Sequence, residues 1–221
     1  LNQQVQQLKL AALGQLSASI AHEIRNPLAA IVHANDLYPQ SDTEQQHMLN
    51  HMISRQAVRI DRIIQDTLNM VRNKETHPTR LNLEQFLPLF LQEDLADIQQ
   101  NIRLNVQAKT LIDFDEAQFR QILINLIRNA IRHNNPDMSY IEVVARTDQK
   151  KVQIDVRDFG HGVALQNRAQ LFQPFFSTEI TGTGLGLYLA HSFCEANQAQ
   201  LSYVEQKQGA CFRIECLEAV I

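Results

Sequence analysis

The sequence predicts an α+β protein in two parts, an N-terminal antiparallel helical hairpin followed by an α/β sandwich. Apolar residues recur at helical spacing from the start of the chain to about Arg72. A polar stretch around Pro78 follows, and beyond it helices are mixed with short antiparallel-type strands. Such a mixture is typical of a sheet that is covered on one face by helices. We therefore divide the chain into residues 1–74, a linker 75–80 and residues 81–221.

Composition and charge limit the classes of protein to be considered. A hydrophobic content of 44% in 221 residues is enough for one large or two small folded domains. The net charge of −4 provides no basic field, so we expect no nucleic acid partner. No apolar run approaches the roughly 18 residues that a membrane span needs. The chain starts at Leu1 rather than Met, which suggests a fragment of a longer protein.

The hairpin is predicted from two helical patterns that a turn separates. The first helix covers residues 1 to about 37, although Pro27 should kink or locally loosen it. Pro39 to Asp42 mark the turn, and Thr43 with Gln46 resembles a capping box that opens the second helix. The stripes are Leu13, Leu16, Ile20, Ile24, Leu28 and Ile31 in the first helix, and Leu49, Ile53, Ile60, Ile63 and Met70, interrupted by Gln56 and Thr67, in the second.

Neither stripe can be covered by the other helix of the hairpin alone. Long exposed apolar stripes on paired helices favour dimerisation into a four-helix bundle. A monomeric hairpin packed on the second part of the chain is the alternative.

The second part of the chain is predicted as alternating short elements. Helices are predicted at 84–98, 116–134 and about 184–197, and strands at 102–106, 110–113, 140–147, 151–157, 200–205 and 210–216.

The first candidate chemical group is His22, which lies off the apolar stripe and should point outward. An exposed imidazole can attack phosphorus through its unprotonated nitrogen. The adjacent Glu23 can accept the proton of the other nitrogen, and Asn26, one turn on, can position a water or a carboxylate. A solvated surface histidine is the competing interpretation. A zinc motif fails because the fifth residue of the His-Glu-x-x string is Asn26 rather than histidine.

The second candidate site begins on the helix at 116–134. Asn125, Asn129 and Arg132 project from one face of it, at i, i+4 and i+7. The amide oxygens of Asn125 and Asn129 can complete a Mg²⁺ shell, and Arg132 can neutralise phosphate charge. A helix with polar residues on its solvent face is the alternative.

The next candidate residues, an aspartate and two glycines, follow a predicted strand. Asp158, at the strand end, can accept a hydrogen bond from the exocyclic amine of adenine, while Gly160 and Gly162 let the backbone approach the base. An ordinary turn has the same pattern.

A phenylalanine loop and a glycine-rich loop complete the set. Phe175 lies in a Phe-Phe-Ser-Thr run that suggests a lid over a nucleotide, or an ordinary core contact. In the loop Thr183-Gly184-Leu185-Gly186, glycines free backbone N–H groups to face phosphate, and the next helix adds its N-terminal dipole.

The string from His22 to Leu28 resembles the phosphoacceptor box of sensor histidine kinases of two-component systems, in the nitrogen-regulator-like subgroup. The four later stretches, in this order, resemble the ATP-binding fold that histidine kinases share with DNA gyrase, Hsp90 and MutL. The resemblance implies ATP and Mg²⁺ as cofactors, autophosphorylation of His22, and transfer to an aspartate of an NtrC-like response regulator. It leaves open a phosphatase activity toward that regulator, in which Asn26 would take part.

The resemblance also implies a homodimer whose membrane attachment depends on an N-terminal sensor region outside this sequence. The chain would then be the cytoplasmic portion of a bacterial inner-membrane sensor.

Two alternatives remain within this group of proteins. The ATPases generally carry a glutamate one turn before the Mg²⁺-binding asparagine, and that position here is Asn125. Slow hydrolysis and transfer to an imidazole are therefore favoured over a gyrase- or Hsp90-type ATPase. A nucleotide-sensing pseudokinase is the other alternative. Glu179 slightly favours it, because the family's lid more commonly has a basic or neutral residue there.

Overall fold

Two long helices, α1 (Asn2–Leu37) and α2 (Thr43–Arg72), make up the N-terminal part of the computed structural model. The structure describes residues 2–72, 76–179 and 182–219. A 3₁₀ turn at Tyr38–Gln40 joins the helices, so the predicted hairpin is present. Helix α1 continues through Pro27 without interruption. None of the described helices is both long and apolar enough to cross a membrane.

The cap of α2 lies one residue earlier than the sequence predicts. The Asp42 carboxylate accepts from Gln45 N at 2.9 Å, and Gln45 Oε1 accepts in return from Asp42 N at 3.2 Å. Thr43 is already the first helical residue, while Gln46 Nε2 donates to Ser41 O at 3.1 Å. Asp42 and Gln45 have the same spacing as Thr43 and Gln46, so the capping-box pattern alone fits both registers.

Within the part of the chain that the structure describes, seven strands follow, five of them in one mixed sheet. The small sheet pairs β1 (Thr79–Asn82) with β3 (Leu111–Phe114) in antiparallel fashion. Strand β1 was not predicted, and it contains Thr79 and Arg80 of the predicted linker 75–80, whose residue 75 lies outside the described residues. The main sheet has the order β2-β4-β5-β7-β6, with β2 (Ile102–Val106), β4 (Ile141–Asp148), β5 (Lys151–Arg157), β6 (Gln200–Glu205) and β7 (Ala210–Leu217).

Strand β2 pairs with β4 in parallel, whereas the sequence predicted only antiparallel-type strands. The physical reason is the long connection between them, since a parallel pair needs a crossover that usually contains a helix. That helix is α4 (Glu116–His133). Strands β4 and β5 are joined as predicted at Gln149 and Lys150, which both adopt positive φ (48° and 67°), as in a type I′ hairpin turn.

Among the described residues after the hairpin, three more α-helices accompany α4. They are α3 (Leu83–Asp94), the short α5 (Leu165–Arg168), which was not predicted, and α6 (Gly186–Ala196). Helix α3 ends before the predicted residue 98, because Leu95 leaves helical geometry (φ −134°, ψ 29°) and buries its side chain completely.

The two faces of the main sheet differ in chemistry. Val143, Ile154 and Ile214 belong to the alternate residues that are buried on the helix-covered side. The opposite side carries ion pairs such as that between Arg213 and Asp155, with N–O distances of 2.7 and 2.8 Å. The predicted sandwich, a sheet with helices on one face, is therefore confirmed.

A buried polar network joins the end of α6 to the start of α4. Asn197 Oδ1 accepts from Asp115 N at 2.9 Å, and Asn197 Nδ2 donates to Gln118 Oε1 at 2.7 Å and to Phe193 O at 2.8 Å. We expect Asn197→Ala to lower the free energy of unfolding by about 2–3 kcal/mol, because it leaves buried partners unsatisfied. Urea unfolding followed by circular dichroism measures this. The exposed Asn105, changed to alanine, is the control, and equal midpoints for the two variants would contradict the prediction.

The described residues form two compact units. One contains the N-terminal chain to Val71 together with Phe175–Leu185, and the other contains Arg72–Pro174 and the chain from Gly186 onward.

Candidate functional site

His22 is exposed on α1, as is Asn26 one turn later. Glu23 is half-buried, and its Oε2 lies 3.4 Å from Arg59 Nη2 on α2. The Arg59 guanidinium is also 3.5 Å from the carbonyl oxygen of Gly182. The carboxylate next to His22 is thus restrained by a cation from the other helix of the hairpin. Sequence reasoning missed Arg59, because no local pattern marks an ion pair between residues 36 positions apart.

The glycine-rich loop in the same unit is tightly folded. Gly184 has φ +66°, and a Cβ on it would lie 2.4 Å from the backbone carbon of Phe175. Only glycine therefore allows the Phe175 backbone to approach this loop. Ser177 and Glu179 form a small turn beside it, in which Glu179 N donates to Ser177 Oγ at 3.0 Å.

Thr183 of this loop is buried and satisfied by protein groups. Its hydroxyl donates to Asp66 Oδ2 at 3.1 Å, and its oxygen lies 3.4 Å from the N–H of the buried Leu185. Burial raises the pKa of Asp66, an effect that the Thr183 hydrogen bond and the charge of Arg62 oppose. A hydroxyl has one proton to donate, so Thr183 can donate to phosphate only after leaving Asp66. Asp66 is a second residue that sequence reasoning missed.

Helix α4 carries the predicted Asn125, Asn129 and Arg132 in the other unit. Asn125 Nδ2 donates to Gly186 O at 3.0 Å, and Asn125 Oδ1 accepts from Gln121 Nε2 at 3.2 Å. The structure thus brings Asn125 and Gly186 together, as a link between α4 and the start of α6. Asn129 is half-buried and Arg132 is exposed.

Asp158 is almost completely buried, with 2% of its surface exposed. Its Oδ1 accepts from Gly160 N at 2.9 Å and from Ala210 N at 3.0 Å. Burial raises the pKa of Asp158, while these two bonds and the nearby His133 and Arg157 act in the opposite direction. The carboxylate is therefore held in a fixed orientation at the end of β5.

Two glycines allow this turn to pack closely. A Cβ on Gly160 would lie 1.9 Å from His133 O, and a Cβ on Gly209 would lie 1.9 Å from Asp158 O. The predicted Gly162 lies nearby, where a Cβ would meet Gly209 O at 2.8 Å. Gly209 was missed because it belongs to the hairpin between β6 and β7, far along the chain from the Asp158 motif.

The two parts of the chain match two families in sequence. Residues 12–76 match the His Kinase A (phospho-acceptor) domain, and residues 114–220 match the family described as histidine kinase-, DNA gyrase B- and HSP90-like ATPase. The chain belongs to the sensor histidine kinases. This sensor histidine kinase chain therefore combines a phosphoacceptor domain with an ATP-binding domain.

Curated relatives agree with this membership. The chain is 37% identical to the sensor protein kinase PilS of Pseudomonas aeruginosa, over 96% of this chain and 42% of that protein. It is 32% identical to the sensor histidine kinase ZraS of Escherichia coli, over 93% of this chain and 46% of that protein. The chain thus spans less than half the length of these relatives. The stretches 17–31 and 182–190 are the ones in which we also see a resemblance to PilS.

Solved structures share the fold at low identity. The histidine kinase ThkA, in complex with the response regulator protein TrrA, superposes with a TM-score of 0.77 at 21% identity, covering 96% of this chain and 64% of that chain. The histidine kinase AdeS of Acinetobacter baumannii superposes with a TM-score of 0.67 at 19% identity, covering 90% and 98% of the two chains. These likenesses establish the fold of the hairpin and of the sandwich.

Proposed function

We propose that this chain phosphorylates its own His22 from ATP and then transfers the phosphoryl group to an aspartate of a response regulator. The observation that carries the proposal is the exposed His22 in a His-Glu-x-x-Asn-Pro-Leu string, in a chain that also has the ATP-binding domain of the family.

In this proposal the nucleotide base is recognised by Asp158, with Gly160 and Gly162 giving the base room. Phosphates are bound by Arg132 on α4 and by backbone N–H groups of the loop Thr183–Gly186, and Phe175 belongs to the lid. The buried, oriented carboxylate of Asp158 supports its assignment.

The metal site is assigned to the asparagines of α4. Amide oxygens are suitable ligands for Mg²⁺, and the half-buried Asn129 is assigned this role. Asn125 Nδ2 is engaged by Gly186 O and its Oδ1 accepts from Gln121 Nε2, so Asn125 would ligate the metal through the second lone pair of this oxygen or by turning the oxygen away from Gln121. A bound Mg²⁺ would neutralise charge on the phosphates during transfer.

The chemistry at His22 is an in-line displacement. The unprotonated ring nitrogen forms a bond to the γ-phosphorus while the bond from phosphorus to the ADP oxygen breaks. Glu23 accepts the proton of the other ring nitrogen and keeps the reactive tautomer. The aspartate of the regulator then takes the phosphoryl group from His22. Asn26, exposed one turn away, would position a water molecule for a separate activity, the dephosphorylation of the regulator.

The proposed assembly is a homodimer built on the hairpin. Large apolar side chains stay exposed on both helices of the single chain, which supports a second copy as their cover. They are Leu28, Val32, Leu37, Met48, Val58, Ile64 and Leu68. We propose 1–74 as the dimerisation domain, 75–80 as the linker and 81–221 as the catalytic domain. We further propose an NtrC-like regulator of the PilR type as recipient, and an inner-membrane sensor region before this chain.

The decisive experiment compares ATP labelled at the γ-phosphate with ATP labelled at the α-phosphate. Only the γ-label should enter the protein, and that label should be labile in acid and stable in alkali, as expected for phosphohistidine. Steady phosphate release without a phosphoprotein would instead identify an ATPase. Failure to bind an ATP analogue would contradict both enzyme functions.

Glu23→Gln should slow autophosphorylation about 100-fold, because the base is lost while the nucleotide site is untouched. Initial rates at saturating ATP measure this, and the affinity for ATP should not change. Glu44→Gln, at the exposed start of α2, is the control. Equal rates for the two variants would remove Glu23 from the mechanism.

A further inference from the structure

A single side chain, Asn134, ties the end of α4 to the turn that holds Asp158. Asn134 Oδ1 accepts from Phe159 N at 2.9 Å. Its Nδ2 donates to Met138 O at 3.1 Å and to Tyr140 O at 2.9 Å. The side chain thus uses both of its N–H groups and its oxygen within one half-buried cluster.

Asn134 lies where the end of α4 meets the turn that contains Asp158. It caps the C-terminus of α4, the helix that carries Asn129 and Arg132, and its own N–H bonds to Ile131 O at 3.4 Å. Its partner Phe159 lies between the base-recognising Asp158 and Gly160. One amide therefore connects the helix assigned to metal and phosphate with the turn assigned to the base.

We propose that Asn134 is a positioning residue for adenine recognition. By holding the Phe159 N–H, it fixes the turn, and with it the Asp158 carboxylate, at a set distance from α4. This inference rests on the proposed function, because it assumes that Asp158 receives the exocyclic amine of adenine.

The geometry requires an amide rather than another polar group. An aspartate at position 134 would still accept from Phe159 N, but it could not donate to the carbonyl oxygens of Met138 and Tyr140. An alanine would lose all three bonds. The turn would remain folded in either variant, because the Phe159 ring packs against Tyr140 with centroids 5.4 Å apart and Asp158 N still bonds to Ala210 O at 2.9 Å.

A less constrained turn should affect discrimination between bases more than binding of phosphate. Guanine presents a carbonyl oxygen where adenine presents its amine, and a fixed carboxylate opposite that oxygen is repulsive. A site built around one hydrogen bond rejects the wrong group strongly only while its own polar atoms stay in place. Loosening Asp158 therefore weakens the attraction for ATP and relieves the repulsion of GTP.

The experiment measures dissociation constants for ATP and GTP, both with Mg²⁺, by competition with a fluorescent ATP analogue. Asn134→Ala should weaken ATP binding and lower the preference for ATP over GTP by about tenfold, the equivalent of one hydrogen bond. Asn134→Asp, which keeps an acceptor for Phe159 N, should recover part of that preference.

Asn101→Ala is the matched control. Asn101 Nδ2 donates to Ser139 O at 2.9 Å, so this variant also loses a side-chain bond to the segment after α4. It leaves the Phe159 N–H untouched, and the preference for ATP should therefore stay at the wild-type value.

Three outcomes would overturn the inference. One is an unchanged preference in Asn134→Ala, even if its melting temperature falls, since Asn134 would then be purely structural. The second is an equal loss of preference in Asn101→Ala, which would implicate the whole segment. A wild-type chain that binds no ATP would overturn the proposed function together with this inference, whereas the first two outcomes leave the proposed function standing.

Discussion

His22→Ala should reduce phosphate incorporation from γ-labelled ATP by at least about 100-fold, because the nucleophile itself is removed. Binding of ATP should be retained, since the residues assigned to the nucleotide lie elsewhere in the chain. Acid-labile label after a fixed time measures the first quantity, and competition with a fluorescent ATP analogue measures the second.

His33→Ala is the matched control for this experiment. His33 is another exposed histidine on α1, so the variant tests whether any accessible imidazole of that helix suffices. It should incorporate label at the wild-type rate. Label that persists in His22→Ala and is lost in His33→Ala would mean that His33, rather than His22, is the nucleophile.

Asp158→Asn should weaken ATP binding by about 100-fold while the protein stays folded. The asparagine oxygen can replace Oδ1 and still accept from the N–H groups of Gly160 and Ala210. Its NH₂ group then faces the adenine amine, so two donors oppose each other where an acceptor was needed. A mispaired polar contact of this kind costs a few kcal/mol, or about two powers of ten in affinity. Titration with ATP and Mg²⁺ measures it, and Asp137→Asn, on the exposed loop after α4, is the control.

Asp158→Asn should weaken ATP binding without lowering the stability of the fold at neutral pH. The pH dependence of this stability difference follows from the burial of Asp158. Because burial raises the pKa of Asp158 in the folded state, the folded protein holds this proton more tightly than the unfolded chain does. The stability contributed by the protonated form is present at acid pH and is lost as pH rises through the raised pKa. The amide introduced by Asp158→Asn cannot ionise, so this variant should melt at the wild-type temperature or above at pH 7, and the difference should vanish in acid. A variant that melts well below wild type at neutral pH would contradict this account.

Much of the fold follows from periodicity in the sequence. The hairpin, the helix at 116–134 and the pairs of strands after it were predictable, because each has a long pattern of period 3.6 or 2. Strand β1 and helix α5 are four residues each, too short to show a period. The parallel pairing of β2 with β4 is a property of the connection rather than of either strand.

The residues of the candidate site also differ in how well the sequence predicts them. His22, Asn129 and the glycines were recognisable because each belongs to a short contiguous motif. Arg59, Asp66 and Asn134 act through contacts with residues that are distant in sequence. Arg59 lies 36 positions from Glu23, Asp66 lies 117 from Thr183, and Asn134 lies 25 from Phe159. No local pattern encodes such contacts.

The parallel pairing of β2 with β4 also has a consequence for the order of folding. The β4–β5 hairpin closes over two residues, whereas β2 can join β4 only after the chain through β3 and α4 has been enclosed between them. Closing a long loop costs more chain entropy than closing a short one, so the contact between the ends of a long loop forms more slowly. The helix with Asn125 and Asn129 lies inside that loop, so we expect the β4–β5 hairpin that leads into Asp158 to form before β2 and β4 are joined on either side of α4.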